Sequence, residues 1–161
     1  VSLRWDAHSG GAWIREMDSQ RFNVLLQPLG KLFQCHLPIA SERGSYEDVV
    51  LGDSSSAGSV VGCIVALASA AGDEQLWKPL NHAVLQACSN SSRAEVRKAG
   101  VSCLLSLIKS VGEEYMILIP ECLPVLAELL EDSDEEVTGL AQDCIALSEE
   151  LLGESLQDSL L

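Results

Sequence analysis

After Lys109 this chain has no lysine or arginine at all, while 14 Asp and Glu residues fall between positions 110 and 161. A surface built that way repels phosphate backbones, so no direct nucleic-acid contact is expected from residues 110–161. Aromatic residues are scarce too, at 4%. Leu, Ala and Val must then supply the apolar surface, which suits helices packed closely on helices. No CxxC occurs, nor a Gly-x-Ser-x-Gly, a phosphate-binding glycine loop or a paired-His motif. No catalytic, cofactor-binding or metal-binding residue is therefore assigned, and no enzyme is expected. No apolar run reaches the roughly 18 to 20 residues of a membrane span. Residues 57–71 come closest, but they are too short and rich in Ala, Gly and Ser. No membrane association is expected, and no secretory signal peptide is visible.

What is present suffices for a core: 47% of the 161 residues are hydrophobic. The first residue is Val1 rather than Met, which reads as a piece of a longer protein. The net charge of −14 is unevenly spread. Residues 1–109 hold 10 acids and 10 bases, so the remainder carries the whole imbalance. Such a face is solvated, or it meets a basic protein partner. Cysteines stand at 35, 63, 88, 103, 122 and 144, at irregular spacings and mostly on apolar helix faces. They read as six free thiols acting as small hydrophobes. His8, His36 and His82 lack the i, i+4 spacing that would place two ligands on one helix face.

The hydrophobic period is helical throughout. Residues 21–37 carry Phe22, Leu25, Leu26, Leu29 and Phe33 on one predicted face, and Pro28 should kink that helix or restart it. A polar, flexible loop is expected over 38–56. A second helix is expected over 57–71, with Val60, Val61, Ile64 and Leu67 inward and Gly72 at its end. Further helices are expected over 74–88, 93–111, 114–131 and 134–152. Ser92-x-x-Glu95 and Ser133-x-x-Glu136 read as capping boxes, in which serine and glutamate satisfy each other's free amides.

These two boxes expose a repeat. Ser133 follows Ser92 by 41 residues, and the same offset relates Pro120 to Pro79, Leu126 to Leu85, Val137 to Val96, and Cys144 to Cys103. A period near 40 with two antiparallel helices per unit marks HEAT or armadillo arrays, and Ser-x-x-Glu-Val at the second helix fits HEAT. The expected fold is all-α: an α-solenoid of HEAT-type antiparallel helix pairs at the C-terminal end of a longer array. Residues 1–20 receive no structural assignment. Residues 21–72 form a degenerate helix pair, and 73–161 form two HEAT-type repeats with an acidic C-terminal cap. Val96, Leu104, Val137 and Ile145 should share one continuous core, because one helix pair leaves its apolar face open and a stacked neighbour covers it.

Four acids at the turn before the last helix, Glu131, Asp132, Asp134 and Glu135, are the candidate protein contacts. Arg97 is a candidate internal partner for Asp132 or Asp134, which would leave fewer of them free. Asn90-Ser91-Ser92 matches the glycosylation sequon, and Ser133 precedes three acids in the manner of an acid-directed phosphorylation site. Capping explains both serines without modification.

Several short runs resemble one family. Leu76-Trp77-Lys78-Pro79-Leu80-Asn81, Val96-Arg97, Glu114-Tyr115, Leu118-Ile119-Pro120-Glu121, Leu126-Ala127-Glu128-Leu129, Glu135-Glu136-Val137 and Leu152-Gly153-Glu154 follow in order. They resemble the C-terminal end of the U3 small nucleolar RNA-associated protein 10 family, also called HEAT repeat-containing protein 1. A looser likeness covers Gln20 to Gln34, and Ser155 stands where that family commonly has proline. The resemblance implies a nucleolar, non-catalytic HEAT scaffold of the small-subunit processome that supports pre-18S ribosomal RNA processing. It implies protein subunits of the U3 ribonucleoprotein as partners and offers no catalytic residues to carry over. A HEAT adaptor of another intracellular complex, of the transport-receptor or phosphatase-scaffold type, is the alternative. A fragment of an enzyme is the third class.

Overall fold

The computed structural model describes residues 3–5, 13–15, 18–34, 60–90 and 92–156. Two short strands, β1 (Leu3–Trp5) and β2 (Trp13–Arg15), pair antiparallel with Arg4 opposite Ile14, within the segment that the sequence left unassigned. Every other element among the described residues is helical: α1 (Ser19–Gln34), α2 (Val60–Ala71), α3 (Glu74–Cys88), α4 (Ala94–Val111), a 3-10 segment (Gly112–Leu118), α5 (Ile119–Leu130) and α6 (Glu135–Leu152). The predicted loop at 38–56, Cys35 and the side chain of Phe33 lie outside the described residues.

The helices form two layers of a HEAT-type α-solenoid. In one layer α3 packs between α1 and α5; in the other α4 packs between α2 and α6, and each pair closes through α1–α2, α3–α4 and α5–α6. The 41-residue period has a direct physical counterpart. Ser69 Oγ lies 3.2 Å from Ser110 Oγ, and Cys122 Sγ lies 3.4 Å from Asn81 Oδ1, so equivalent positions of neighbouring units touch. One core runs through all three pairs, and it contains Val96, Leu104, Val137 and Ile145 as expected.

Helix α4 is the centre of this core. Gly100 to Ile108 are all buried, because α3, α2 and α6 each cover one side. Gly100 marks the closest approach: a Cβ there would stand 2.7 Å from the Cys88 amide nitrogen and 2.9 Å from its Sγ. Only the missing side chain lets the end of α3 seat against α4.

Several local expectations require correction. Pro28 does not restart the helix: α1 runs from Ser19 to Gln34 with Pro28 inside it. Its ring faces solvent, while Phe22 and Leu26 anchor the helix to the core. Leu25 is 47% exposed rather than inward. The core-facing stripe is Phe22 and Leu26, both buried, with Leu29 partly buried, and at about 100° per residue Leu25 sits roughly 60° off Phe22 on the far side from Leu26.

Neither serine-led capping box forms. Arg93 occupies the N-cap of α4 without a side-chain cap bond, and Ser92 instead turns to Asn90, whose Oδ1 accepts from Ser92 N, Ser92 Oγ and Arg93 N. At α6 the cap is Asp134, one residue beyond Ser133, and its carboxylate accepts from the Glu136 and Val137 amides. An ionised cap also meets the positive end of the helix better than a hydroxyl does. The fifth helix begins as a 3-10 segment, since Pro120 lacks the N–H that would continue an α-helical ladder across it.

Candidate interaction surface

The α5–α6 turn is held by charge from the preceding unit. Arg97 of α4 reaches across the repeat boundary and grips Asp132 with both arms, Nε to Oδ2 at 2.6 Å and Nη2 to Oδ1 at 2.8 Å. Its Nη1 donates to the Asn90 carbonyl at 3.0 Å, so one guanidinium ties the α3–α4 turn to the α5–α6 turn. The pair is largely enclosed, with side-chain exposures of 13% and 7%. A planar fork on a carboxylate is the strong form of ion pair. It holds the Asp132 carboxyl below its ordinary value and raises the Arg97 guanidinium. Asp132 Oδ1 also accepts from the Asp134 amide at 2.9 Å, and Thr138 Oγ1 donates to the Asp132 and Asp134 carbonyls at 3.3 Å. Next to it Lys98 lies 3.8 Å from Asp134 and pairs closely with Glu136.

The four acids singled out from the sequence thus divide. Asp132 is committed to Arg97, one of the two partners that the sequence offered for that arginine. Asp134 caps α6 beside Lys98. Glu131 and Glu135 are exposed. The role of Lys98 escaped sequence reasoning; its adjacency to Arg97 at the start of α4 was the available signal.

A second constellation lies in the core between α3 and α5. Asn81, fully buried, accepts from Tyr115 Oη at 2.9 Å and from Cys122 Sγ, while its amide donates to Glu121 Oε2 at 3.5 Å. The Trp77 ring stands 6.4 Å from that of Tyr115, and its Nε1 donates to the Ala68 carbonyl at 2.9 Å. Every polar atom here is satisfied, so the network reads as a lock between units rather than a reactive centre. Burial lifts the Tyr115 hydroxyl above its ordinary value and pushes the Cys122 thiol up to about 12. Cys88, Cys103 and Cys144 are likewise buried and raised by desolvation. Thiols held protonated in this way are poor nucleophiles. Cys63 departs from the expectation of buried thiols: it is exposed on α2. Among the described residues no three His, Cys, Asp or Glu side chains are placed to hold a metal ion, and no helix is long and apolar enough to cross a membrane.

Two stacked units with a 41-residue period and a buried interlock define the architecture; similarity to known proteins supplies the lineage. The chain is 42% identical to human HEAT repeat-containing protein 1 over 98 residues, 61% of this chain and 4% of that protein. It is 39% identical to U3 small nucleolar RNA-associated protein 10 of Pyricularia oryzae over 106 residues, 66% of this chain and 6% of that protein. Homologues named HEAT repeat-containing protein 1 and U3 small nucleolar RNA-associated protein 10 thus match 56–66% of this chain at about 40% identity. An uncharacterised Arabidopsis thaliana protein matches 95% of the chain at 36% identity, over 7% of its own length. The chain therefore spans less than a tenth of the length of each of these three relatives. No family model matches it. The family's relatives in animals carry the repeat in their name, in agreement with the two-layer fold.

Proposed function

We propose that this segment is a non-catalytic scaffold element of a nucleolar protein of the small-subunit processome, acting in pre-18S ribosomal RNA processing and ribosome biogenesis. The observation that carries the reading is the similarity to relatives named for association with U3 small nucleolar RNA. The architecture supports it: its most elaborate side-chain constellations, Arg97–Asp132 and Asn81–Tyr115–Cys122, join one helix pair to the next. A rigid, extended stack offers surface to partners, which is what solenoids supply. The partners proposed are protein subunits of the U3 ribonucleoprotein assembly. Residues 110–161 meet them through protein contacts rather than RNA, because their carboxylates oppose phosphate. At the α5–α6 turn the contacting acids are Glu131 and Glu135, with Asp132 and Asp134 holding the turn in shape.

The test is replacement of the native full-length protein by one lacking residues 74–152. Co-precipitation of U3 RNA with the assembly, and the level of pre-18S precursors, are then measured. The expected result is accumulation of precursors and reduced recovery of U3 RNA. Normal precursor levels and normal U3 recovery would refute the reading.

A further inference from the structure

Ser92 and Ser133 each precede a glutamate by three residues, yet the fold treats them differently. Neither caps its helix. Ser92 is engaged all the same: its Oγ donates to Asn90 Oδ1 at 3.0 Å, and Arg93 follows it directly. Ser133 is exposed, and its Oγ takes part in no hydrogen bond among the described residues. Asp134 has taken the cap of α6, so helix formation makes no use of this hydroxyl.

The backbone that presents it is fixed. The amides of Ser133 and Asp134 both donate to the Asp132 carboxylate, which Arg97 grips in turn. Ser133 stands in the short turn between Leu130 and Glu135, outside both helices. Three carboxylates follow it, those of Asp134, Glu135 and Glu136, and the side chain of Glu136 is 72% exposed. A free hydroxyl directly before such a run suits an enzyme with a basic substrate groove, through charge complementarity.

The surroundings also offer a place for an anion on that oxygen. Ser133 lines a cleft of about 260 Å³ together with Ser89, Arg97, Glu128 and Asp132. Arg97 uses one N–H on each of its three nitrogens, two toward Asp132 and one toward the Asn90 carbonyl. The remaining N–H groups of its guanidinium donate to nothing among the described residues. A guanidinium fork is a strong partner for phosphate oxygens, and the positive end of α6 lies next to Ser133. Glu128 and Asp132 oppose a further negative charge in the cleft; the unused donors and the helix end offset them.

We propose that Ser133 is a phosphorylation site for a kinase that selects carboxylates after its serine, and that Arg97 receives the phosphate. In the transfer, the γ-phosphorus of a nucleoside triphosphate bonds to Ser133 Oγ as its bond to the β,γ-bridging oxygen breaks. Nucleoside diphosphate leaves, and the hydroxyl proton passes to the general base of the kinase. The product adds about 1.5 to 2 negative charges at neutral pH. They fall between Glu131 and Glu135, and they raise the preference of this turn for a basic protein segment. The site itself does not depend on the scaffold reading.

The full-length protein is isolated from its own cells with phosphatases inhibited, and its phosphopeptides are mapped by mass spectrometry. Dephosphorylated full-length protein is then treated with nucleoside triphosphate and a purified kinase selective for acidic residues after serine. Phosphate is expected on Ser133 in both samples and on Ser92 in neither. Ser133→Ala removes no hydrogen bond and should abolish the signal. Glu136→Gln should lower incorporation at least fivefold. Because Glu136 also pairs with Lys98, Glu135→Gln, which breaks no ion pair among the described residues, is the second variant and should lower it at least twofold. Hydrogen exchange of the peptide covering 131–140 should slow at least twofold once Ser133 is phosphorylated, as Arg97 takes up the new acceptor. Absence of phosphate from Ser133 in either sample, equal labelling of Ser92, incorporation unchanged by both glutamine variants, or faster exchange on phosphorylation would each overturn the inference. None of these outcomes bears on the dependence of U3 recovery on residues 74–152, so the two readings fail separately.

Discussion

Helices α4 and α6 occupy equivalent places in successive units, yet their outward stripes are opposite in character. Val101, Leu105 and Ile108 of α4 are buried, and α6 lies on that side with Cys144 Sγ against the Val101 carbonyl. Forty-one residues on stand Gln142, Ala146 and Glu149, polar or small and lying outside the core. Positions that face the helix axis keep their chemistry: Val96 and Val137, Cys103 and Cys144, Leu104 and Ile145 are buried in both. The difference shows which burial belongs to a helix pair itself and which comes from a neighbour stacked upon it. The α6 stripe therefore offers a stacked neighbour far less apolar area than the α4 stripe does. A Glu149-anchored tail folds back over this end instead, turning at Gly153 in the left-handed region (φ 70°) and burying Leu156.

The sharpest way to break the comparison is to empty the shared interior. Leu104→Ala removes a fully buried side chain at the centre of α4 and should cost about 2 to 5 kcal/mol in chemical denaturation. A cost below about 0.5 kcal/mol would place Leu104 on a surface.

Filling is nearly as disruptive where the helices touch. Gly100→Ala drives a methyl into the Cys88 backbone and should cost about 1 to 3 kcal/mol. Gly139→Ala, on α6 with nothing within 4 Å, should stabilise or leave the midpoint unchanged by thermal melting.

The charge lock between units comes next. Asp132→Ala strands a nearly enclosed guanidinium and should cost about 1.5 to 3 kcal/mol at neutral pH. Its pH dependence has a definite sign. The Asp132 carboxyl is held below its ordinary value of 3.8, so the folded state releases its proton more readily than the unfolded one. The contribution is fully present above pH 3.8 and fades as pH falls through the lower folded value. Asp132→Asn should therefore flatten the stability curve below about pH 4, and an unchanged curve would sink the assignment.

The smallest effect should come from the outward stripe of α6. Gln142→Ala is expected to shift stability by less than about 0.5 kcal/mol, whereas Val101→Ala at the equivalent place in α4 should exceed 1 kcal/mol. Equal costs would mean that the two stripes do not differ in burial. Thiol labelling of the native protein supplies an independent view: Cys63 should react, while Cys88, Cys103, Cys122 and Cys144 stay protected until the fold opens.

Much of this molecule is legible from sequence. The 3.6-residue period and the repeat offset depend only on the order of apolar residues along the chain, and they place α3 at its observed bounds and α4 and α6 within a residue of theirs. The core membership of Val96, Leu104, Val137 and Ile145 follows from the same pattern, as does the choice of Arg97 as partner of the acidic turn. Capping was less legible. Serine and aspartate at adjacent positions compete for the same amides, and only the entry angle of the chain into α6 settles the contest for Asp134. The candidate surface was legible in part: the excess of acids is a matter of composition, but which carboxylates are compensated depends on the reach of Arg97 and Lys98 across a repeat boundary. The sequence by itself determined helices, period and charge, because these are local or additive properties. Tertiary structure alone decided that Asp132 turns inward, that Leu25 and Cys63 face outward, and that Asn81 joins Tyr115 to Cys122. Each of those depends on which neighbour a side chain meets once the pairs have stacked, and pattern along one chain does not carry that distance.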